Sequence, residues 1–281
     1  MRIRISADST CDLSPELIEQ YDVAITPLYI RLGDRDLKDS IEVTRDDIYS
    51  YVEKTKSIPK TAAVNVGDYI DFFTKVKEEG YDGVVHFTIS AEMSSCYQNA
   101  CLAAQNFENV YVVDSRTLST GIGHLVLDAC ELRDEGKTAK EIFDILEVRK
   151  EKLDVSFVLD TLRYLALGGR CNSLLAFGAN LLNIKPSIQV KDGVMGVANK
   201  YRCSFERAVV RYVNDKLSDK DSLNLKRIFI TDSGSSDEVR SAVEEAVKKN
   251  APFSEIIHTR AGCTVSAHCG PNCIGILFYR N

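Results

Sequence analysis

Small hydroxyl side chains and one histidine lie far apart in this sequence, at points where strand-like apolar runs end. They are Thr61, Ser94 with its neighbour Ser95, the run Asp8-Ser9-Thr10, and His268 in an Ala-His-Cys-Gly-Pro segment. Neutral hydrogen-bond donors of this kind suit a carboxylate or a phosphate better than a metal ion or a nucleic acid. The pattern therefore predicts a binding site for a small anionic group.

Each of these donors has a physical reason to face an anion. Ser94 or Ser95 is expected to begin a helix, where its hydroxyl adds to free backbone N–H groups and to the positive end of the helix dipole. Thr61 can donate to a second oxygen, and protonation of His268 would tune how tightly the anion is held. Simple helix capping by Ser94 and an ordinary loop position for Thr61 stay open as alternatives.

Strand and helix patterns alternate almost throughout the chain, which predicts an α/β fold with largely parallel sheets flanked by helices. Helix starts are indicated by Ser14-Pro15-Glu16 and by capping boxes that begin at Thr44 and Thr138. The apolar run from Gly83 to Ile89 is typical of a buried strand. Lys191-Asp192-Gly193 favours a two-residue turn and predicts a hairpin.

The pattern changes near residue 150, after a charged stretch. We therefore expect two α/β domains: residues 1–152, which carry the anion-binding residues, and residues 153–281, which add His268 and an apolar lining. The segment from Leu174 to Ile184 is apolar on nearly every side, so it must be buried or line a cavity. An ordinary core is the alternative. The residues expected in such a lining are Phe157, Leu162, Leu165, Leu174, Phe177, Leu181 and Ile188.

Bulk properties exclude several classes of protein. A formal net charge of -6 without clustered Lys and Arg disfavours nucleic-acid binding. No run approaches the roughly 18 apolar residues of a membrane span, and the N-terminus lacks the features of a signal peptide. We expect a cytoplasmic protein with at most peripheral membrane contact. Nine scattered cysteines without paired spacing are expected to be reduced thiols.

Common cofactor and metal motifs are absent from the sequence. No GxxxxGK[ST] loop and no GxGxxG after a strand occur, so no nucleotide cofactor is expected. Cys263, Cys269 and Cys273 near His268 resemble a zinc ligand set. Their spacing matches no structural zinc module, however, and in an extended segment His268 and Cys269 would point to opposite faces. The sequence predicts neither a metal nor a cofactor.

A serine hydrolase is the competing enzyme hypothesis. Ser94, His268 and Asp8 supply a nucleophile, a base and an orienting acid, although the chain has no GxSxG elbow. Only geometry can decide whether these three side chains form a triad. Its substrate would be a lipid ester.

A further set of motifs resembles the DegV family over essentially the whole chain. No single motif is decisive, but they occur in the order expected of that family. They are Asp8-Ser9-Thr10, Thr61, Ser90 to Gln98, Val113-Asp114-Ser115, Asp160-Thr161-Leu162, Gly168-Gly169-Arg170, Lys185-Pro186, Lys191-Asp192-Gly193 and His268-Cys269-Gly270-Pro271.

The resemblance implies a two-domain α/β protein that holds one long-chain fatty acid. It also implies the role of fatty-acid-binding subunit of a bacterial fatty acid kinase, in which a separate ATP-using subunit phosphorylates the bound carboxylate. The acyl phosphate would feed phospholipid synthesis. This chain would then present a substrate without catalysing the transfer, and a passive lipid carrier is the binding-only alternative.

Family membership also implies roles for individual residues. Thr61 and Ser94, with Ser95, match the positions that bind the carboxylate, and His268 lies close behind them. Arg170 would pair with the kinase subunit or with the transferred phosphate, and a solvated surface charge is the alternative. The residues expected to support the head-group site are Asp8, Ser9, Thr10 and Ala62.

The sequence departs from the family pattern near the expected head-group site. The usual Thr-Ser-Gln-Pro is Thr61-Ala62-Ala63-Val64, the usual Ser-Gly-Thr is Ser94-Ser95-Cys96, and the usual Gly-Pro-Gly is Gly270-Pro271-Asn272. Fewer polar side chains therefore remain to fix a carboxylate. A shifted lipid preference is one expected consequence.

Overall fold

The computed structural model describes residues 1–171 and 184–281. Within these ranges the strands are β1 (Ile3–Asp8), β2 (Ala24–Thr26), β3 (Tyr29–Leu32), β4 (Arg35–Lys38), β5 (Lys60–Ala62), β6 (Gly83–Thr88), β7 (Val110–Asp114), β8 (Leu153–Leu159), β9 (Lys185–Lys191), β10 (Val194–Tyr201), β11 (Leu223–Asp232), β12 (Glu255–Arg260) and β13 (Cys273–Arg280). The helices are α1 (Pro15–Gln20), α2 (Arg45–Thr55), α3 (Val66–Glu78), α4 (Cys96–Ala104), α5 (Thr120–Asp134), α6 (Ala139–Arg149), α7 (Arg163–Gly168), α8 (Phe205–Lys216), α9 (Asp237–Asn250) and α10 (Cys263–Cys269).

The first sheet has the order β2-β1-β6-β7, and all of its pairs are parallel. Helices α4, α5 and α6 contact its strands. Every residue of β6 is buried, as expected for an inner strand of a parallel sheet covered on both faces. The α/β class is confirmed, and so is the parallel sheet. The carboxyl ends of β1 and β6 lie side by side at one edge, where open α/β sheets bind ligands.

The second sheet has six strands in the order β10-β9-β8-β13-β11-β12, and only β11 and β12 pair in parallel. The expectation of largely parallel sheets is therefore wrong for this half of the chain. Strand β13, the last in the sequence, inserts between β8 and β11 and runs antiparallel to both. Alternation of strands and helices along the chain does not reveal such a remote insertion. The hairpin is confirmed, with Asp192 and Gly193 at φ 52° and 81° in its turn.

A third, small sheet has the order β4-β3-β5. In it, Thr61 on β5 lies opposite Ile30 on β3. The alternative of an ordinary loop position for Thr61 is therefore wrong. Strand β5 has only three residues, two of them exposed, so no apolar alternation marks it in the sequence. Its conformation is set by pairing with β3 instead.

Helix α5 connects the two large sheets and was not anticipated from the sequence. Of its 15 residues, 12 are buried. It contacts β1 and β6 of the first sheet as well as β8 and β13 of the second. A helix enclosed on all sides has no polar face, so it lacks the amphipathic period by which helices are recognised.

Helix α10 was expected to be an extended segment, and that expectation is wrong. Its start is held by two aspartate side chains from the other end of the chain. The Gly262 N–H donates to Asp12 Oδ1 at 2.8 Å. The Cys263 and Thr264 N–H groups donate to the two oxygens of Asp39 at 2.9 and 3.1 Å. Because Asp39 lies 224 residues before Cys263, no local capping signal precedes this helix.

Local helix signals were interpreted correctly elsewhere. Ser14 caps α1, and both capping boxes form at Thr44 and Thr138. Most of the apolar segment that begins at Leu174 lies outside the described residues. The division into domains at residue 152 stays a prediction. Across residues 1–171 and 184–281, no helix has the length and apolarity needed to cross a bilayer, and no two cysteines form a disulfide.

The Asp12 carboxyl provides a test of how the two halves of the chain are joined. Burial raises the pKa of Asp12 to about 8. The hydrogen bond that Asp12 accepts from Ser119 lowers the pKa but offsets only part of this rise. The unfolded chain releases this proton near pH 4. The folded protein therefore loses stability as the pH rises from about 4 to 8, and the loss is complete above pH 8.

We expect the stability of Asp12→Asn to depend less on this rise in pH, because an asparagine side chain cannot ionise. Its unfolding free energy relative to wild type should increase between pH 5 and pH 8, by on the order of a few kcal/mol, and should then stay level. Urea unfolding at pH 5, 6.5, 8 and 9 measures the difference. The exposed Asp34→Asn serves as the control. A difference that is the same at pH 5 and pH 9 would show that Asp12 is not protonated in the fold.

Candidate functional site

A cavity of about 380 Å³ lies where β5, the loop between β6 and α4, and α10 meet. We call it the Thr61 cavity. Both polar and apolar side chains line it, with the polar ones contributed by four separate segments of the chain. The polar and charged lining residues are Thr61, Glu92, Ser94, Ser95, Arg170, Thr264 and His268. The apolar ones include Leu28, Ala62, Ile89, Met93, Leu118, Leu165, Met195 and Val265.

A hydrogen bond between Thr61 and His268 is the central contact of this cavity. The distance from Thr61 Oγ1 to His268 Nε2 is 2.9 Å, and it joins residues 207 positions apart. Strand β5 supplies the threonine, and the last turn of α10 supplies the histidine. The structure thus brings together two residues that the sequence analysis linked.

The imidazole of His268 is half-buried and uncharged at neutral pH. Burial lowers its pKa to about 4, and the nearby positive charge of Arg170 contributes to the shift. Its Nδ1 atom has no hydrogen-bond partner among the described residues. Gly168 lies directly against the ring, and a Cβ atom at that position would overlap Nδ1. The glycine at the end of α7 therefore makes room for the histidine.

Ser94 and Ser95 line the cavity just before α4. Ser94 Oγ accepts a hydrogen bond from the Cys96 N–H at 3.3 Å and lies 3.2 Å from the Cys96 thiol. Ser95 is the residue that precedes the helix, but its side chain makes no capping hydrogen bond. Ser94 therefore makes a local turn contact rather than a helix cap, and it also lies on the cavity wall.

The residues Asp8, Ser9 and Thr10 do not line the cavity but hold its walls. Asp8 accepts hydrogen bonds from the Thr10 N–H at 3.0 Å and from the Ile89 N–H at 2.8 Å. Ser9 Oγ accepts from the Leu28 N–H at 3.1 Å. Ile89 and Leu28 both face the cavity. These three polar residues thus act on the site through the backbone.

The expected acyl lining is only partly tested. Leu165 and Ala62 line the cavity. Phe157, Leu162 and Ile188 are buried in the surrounding core instead. Phe157 also borders a void of about 20 Å³ that shares Leu118, Val265 and Cys269 with the cavity. Of the remaining expected residues, Leu174, Phe177 and Leu181 lie outside the described residues.

Arg170 lies at the exposed side of the cavity. Its Nη1 atom donates to the Gly168 carbonyl at 2.6 Å. Apart from Arg170, Glu92 is the one charged residue that lines the cavity in the described parts of the chain. A bound anion would therefore meet mainly neutral donors with a single cation at the rim.

The three residues of the hydrolase hypothesis do not form a triad. His268 Nε2 contacts Thr61, and Asp8 is occupied by Thr10 and Ile89. Neither a Ser94–His268 nor an Asp8–His268 hydrogen bond occurs within the described ranges. These ranges also contain no group of three or more His, Cys, Asp and Glu side chains placed to hold a metal.

Two residues of this site were not predicted from the sequence. Thr264 is 5% exposed and lines the cavity one helical turn before His268. Its Oγ1 atom has no partner among the described residues. Asp39 holds the start of α10 from outside the cavity. Had α10 been recognised as a helix, the spacing of Thr264 and His268 would have placed Thr264 on the same helix face as His268.

The packing of Gly168 against His268 leads to a specific expectation. In Gly168→Ala the added methyl group displaces the imidazole towards solvent, so the pKa of His268 should rise from about 4 towards 6.5. NMR titration of the histidine side chains measures this. Gly196→Ala is the matched control, since a Cβ atom there meets nothing within 4 Å. An unchanged His268 titration in Gly168→Ala would refute this packing.

The chain is similar to known proteins along its whole length. A sequence model described as "Uncharacterised protein, DegV family" matches residues 2–281. A DegV domain-containing protein of Clostridium acetobutylicum is 30% identical over 279 residues, which cover 99% of this chain and 98% of that protein.

Solved structures extend this similarity to the fold. A DegV family protein of Thermus thermophilus, described as binding fatty acid, is 30% identical with a TM-score of 0.92 and covers 100% of both chains. A protein of Thermotoga maritima, whose structure is described as revealing a fatty acid binding function, is 27% identical with a TM-score of 0.87 and the same coverage. Because the family model spans all but the first residue, this chain belongs to the DegV family.

Proposed function

We propose that this protein binds a long-chain fatty acid, with the carboxylate at Thr61 and Ser94 and the acyl chain along the apolar wall. The observation that carries the proposal is the Thr61–His268 hydrogen bond inside a largely apolar cavity. The Thermus thermophilus and Thermotoga maritima relatives, both described as binding fatty acids, support it. The protein needs no cofactor for this role.

The neutral state of His268 favours a particular arrangement of hydrogens. Because Nδ1 has no hydrogen-bond partner among the described residues, a hydrogen on that atom would be a buried donor left unpaired by this part of the chain. We therefore assign the hydrogen to Nε2, which donates to Thr61 Oγ1. The hydroxyl hydrogen of Thr61 is then free to point into the cavity and to donate to a carboxylate oxygen. In this arrangement His268 orients Thr61 rather than holding the ligand itself.

The apolar wall supplies most of the affinity in this proposal. Each methylene removed from water contributes about 0.8 kcal/mol, so a chain of roughly fourteen methylenes gains about 11 kcal/mol before the costs of ordering and of carboxylate desolvation. Leu165, Met195 and Val265 form part of this wall.

We further propose that the protein presents the carboxylate to a separate ATP-using kinase subunit, without catalysis of its own. Arg170 lies exposed at the cavity rim, where a second protein or a transferred phosphate can reach its guanidinium. A planar fork of donors suits a phosphate or a carboxylate on that partner. Arg170 is therefore the proposed docking residue.

Fatty acid binding is tested by identifying the ligand and by weakening its head-group contacts. The purified protein should carry a fatty acid that organic extraction and mass spectrometry detect. Thr61→Val keeps the shape of the side chain and removes one hydrogen bond to a charged group, which is worth about 1.5–3 kcal/mol. The Kd for palmitate should rise roughly ten- to a hundredfold.

The exposed Thr74→Val on α3 is the control for this experiment and should leave the Kd unchanged. Isothermal titration of protein stripped of lipid gives both constants. If the protein carries no acyl chain and palmitate does not bind the wild type, the proposed function is wrong. If Thr61→Val binds palmitate as the wild type does, the carboxylate lies elsewhere.

The presentation step is tested with the ATP-using fatty acid kinase subunit of the same bacterium. With ATP and palmitate, we expect acyl phosphate only when this protein is present, because the carboxylate must be held at the cavity mouth. Arg170→Ala should lower the rate at least tenfold and leave the Kd for palmitate within a factor of two. Acyl phosphate is measured as the hydroxamate. An unchanged rate would remove Arg170 from the docking surface, and no product with wild type would favour a passive carrier.

A further inference from the structure

We infer that Asp39 is a positioning residue for the ligand carboxylate, although it does not line the cavity. This inference rests on the proposed function. Asp39 is 1% exposed and accepts four hydrogen bonds. Two come from the N–H groups of Cys263 and Thr264 at the start of α10, at 2.9 and 3.1 Å. The others come from the hydroxyls of Ser9 at 2.9 Å and Ser40 at 2.8 Å.

The place of Asp39 in the fold links it to both partners of the Thr61–His268 hydrogen bond. Asp39 directly follows β4, and Thr61 lies on β5 of the same small sheet, with β3 between the two strands. Thr61 is therefore fixed by strand pairing. His268 is fixed to the same sheet through α10 and the Asp39 carboxylate. The small sheet sets the distance between the two side chains.

Helix α10 depends on these contacts for its position. It has seven residues, and isolated helices shorter than about 12–15 residues are marginal in water. Its inner face packs Cys263 and Ala267 against Ile30 and Leu32 of the small sheet. The Asp39 carboxylate satisfies the N–H groups that the helix leaves free at its start, where a negative charge is also favourable.

Substitution of Asp39 by Asn should disturb this arrangement selectively. The amide has one acceptor oxygen where the carboxylate has two, so its NH₂ group must face one of the N–H donors of α10. Asp12 still holds the Gly262 N–H, and this keeps the helix attached. We expect α10 to shift and the Thr61–His268 hydrogen bond to lengthen, while the apolar wall stays in place.

The experiment compares a ligand that has a carboxylate with one that lacks it. In Asp39→Asn, the Kd for palmitate should rise about tenfold, whereas the Kd for hexadecanol should change less than twofold. Histidine NMR should show the pKa of His268 rising from about 4, because the ring is no longer held against Gly168 and Thr61. Asp36→Asn is the matched control, because Asp36 is an exposed acid on β4 that pairs with Arg31. It should change the Kd of neither ligand.

Three results would overturn the inference. They are an unchanged Kd for palmitate in folded Asp39→Asn, an equal loss for palmitate and hexadecanol, and an unchanged His268 titration. If Asp39→Asn does not fold, Asp39→Ser replaces it, because a serine hydroxyl still caps a helix start. Asp39→Ser should also lose affinity for palmitate and keep its affinity for hexadecanol. An equal loss of affinity for both ligands would again refute the inference. Failure of the wild type to bind either ligand would instead refute the proposed function.

Discussion

The hydrogen bond between Thr61 and His268 is the contact on which the rest of this site depends. It joins two segments 207 residues apart inside a cavity that is otherwise mostly apolar. In such surroundings the loss of a hydrogen bond is costly, since a polar group left unpaired there has lost its contacts with water and gains no partner in exchange. Gly168 makes room for the ring, the small sheet fixes the threonine, and α10 fixes the histidine.

The polar groups of the cavity are partly satisfied by one another, and this shapes how a ligand can enter. Ser94 lies within hydrogen-bond distance of the Cys96 thiol, and Thr61 is bonded to His268. A thiol is a weak acceptor, so turning the Ser94 hydroxyl towards a carboxylate gives up little. With the imidazole hydrogen on Nε2, as proposed, the hydroxyl hydrogen of Thr61 is available without breaking its bond to His268. The site thus keeps two donors ready at small cost.

Features that the sequence predicted are those decided by neighbouring residues. The capping boxes at Thr44 and Thr138 and the hairpin turn at Asp192 each depend on partners a few positions away. The features that it missed depend on remote partners. Helix α10 is started by Asp39, and Thr61 becomes part of a strand by pairing with β3. Thr61 and His268 were singled out as candidate site residues by their residue types and by the family resemblance, whereas Thr264 and Asp39 required the fold.

The departures from the family pattern now have a structural meaning. Ala62 lines the cavity without offering a hydrogen bond, and Cys96 is fully buried behind Ser94. In the proposed complex, which has fewer polar side chains near the head group, the hydroxyls of Thr61 and Ser94 and nearby backbone groups would hold the carboxylate. Head-group contacts then contribute less to affinity than in a site with more donors. Selection among lipids must therefore come mainly from the apolar wall, because burial of each methylene counts equally whatever the head group.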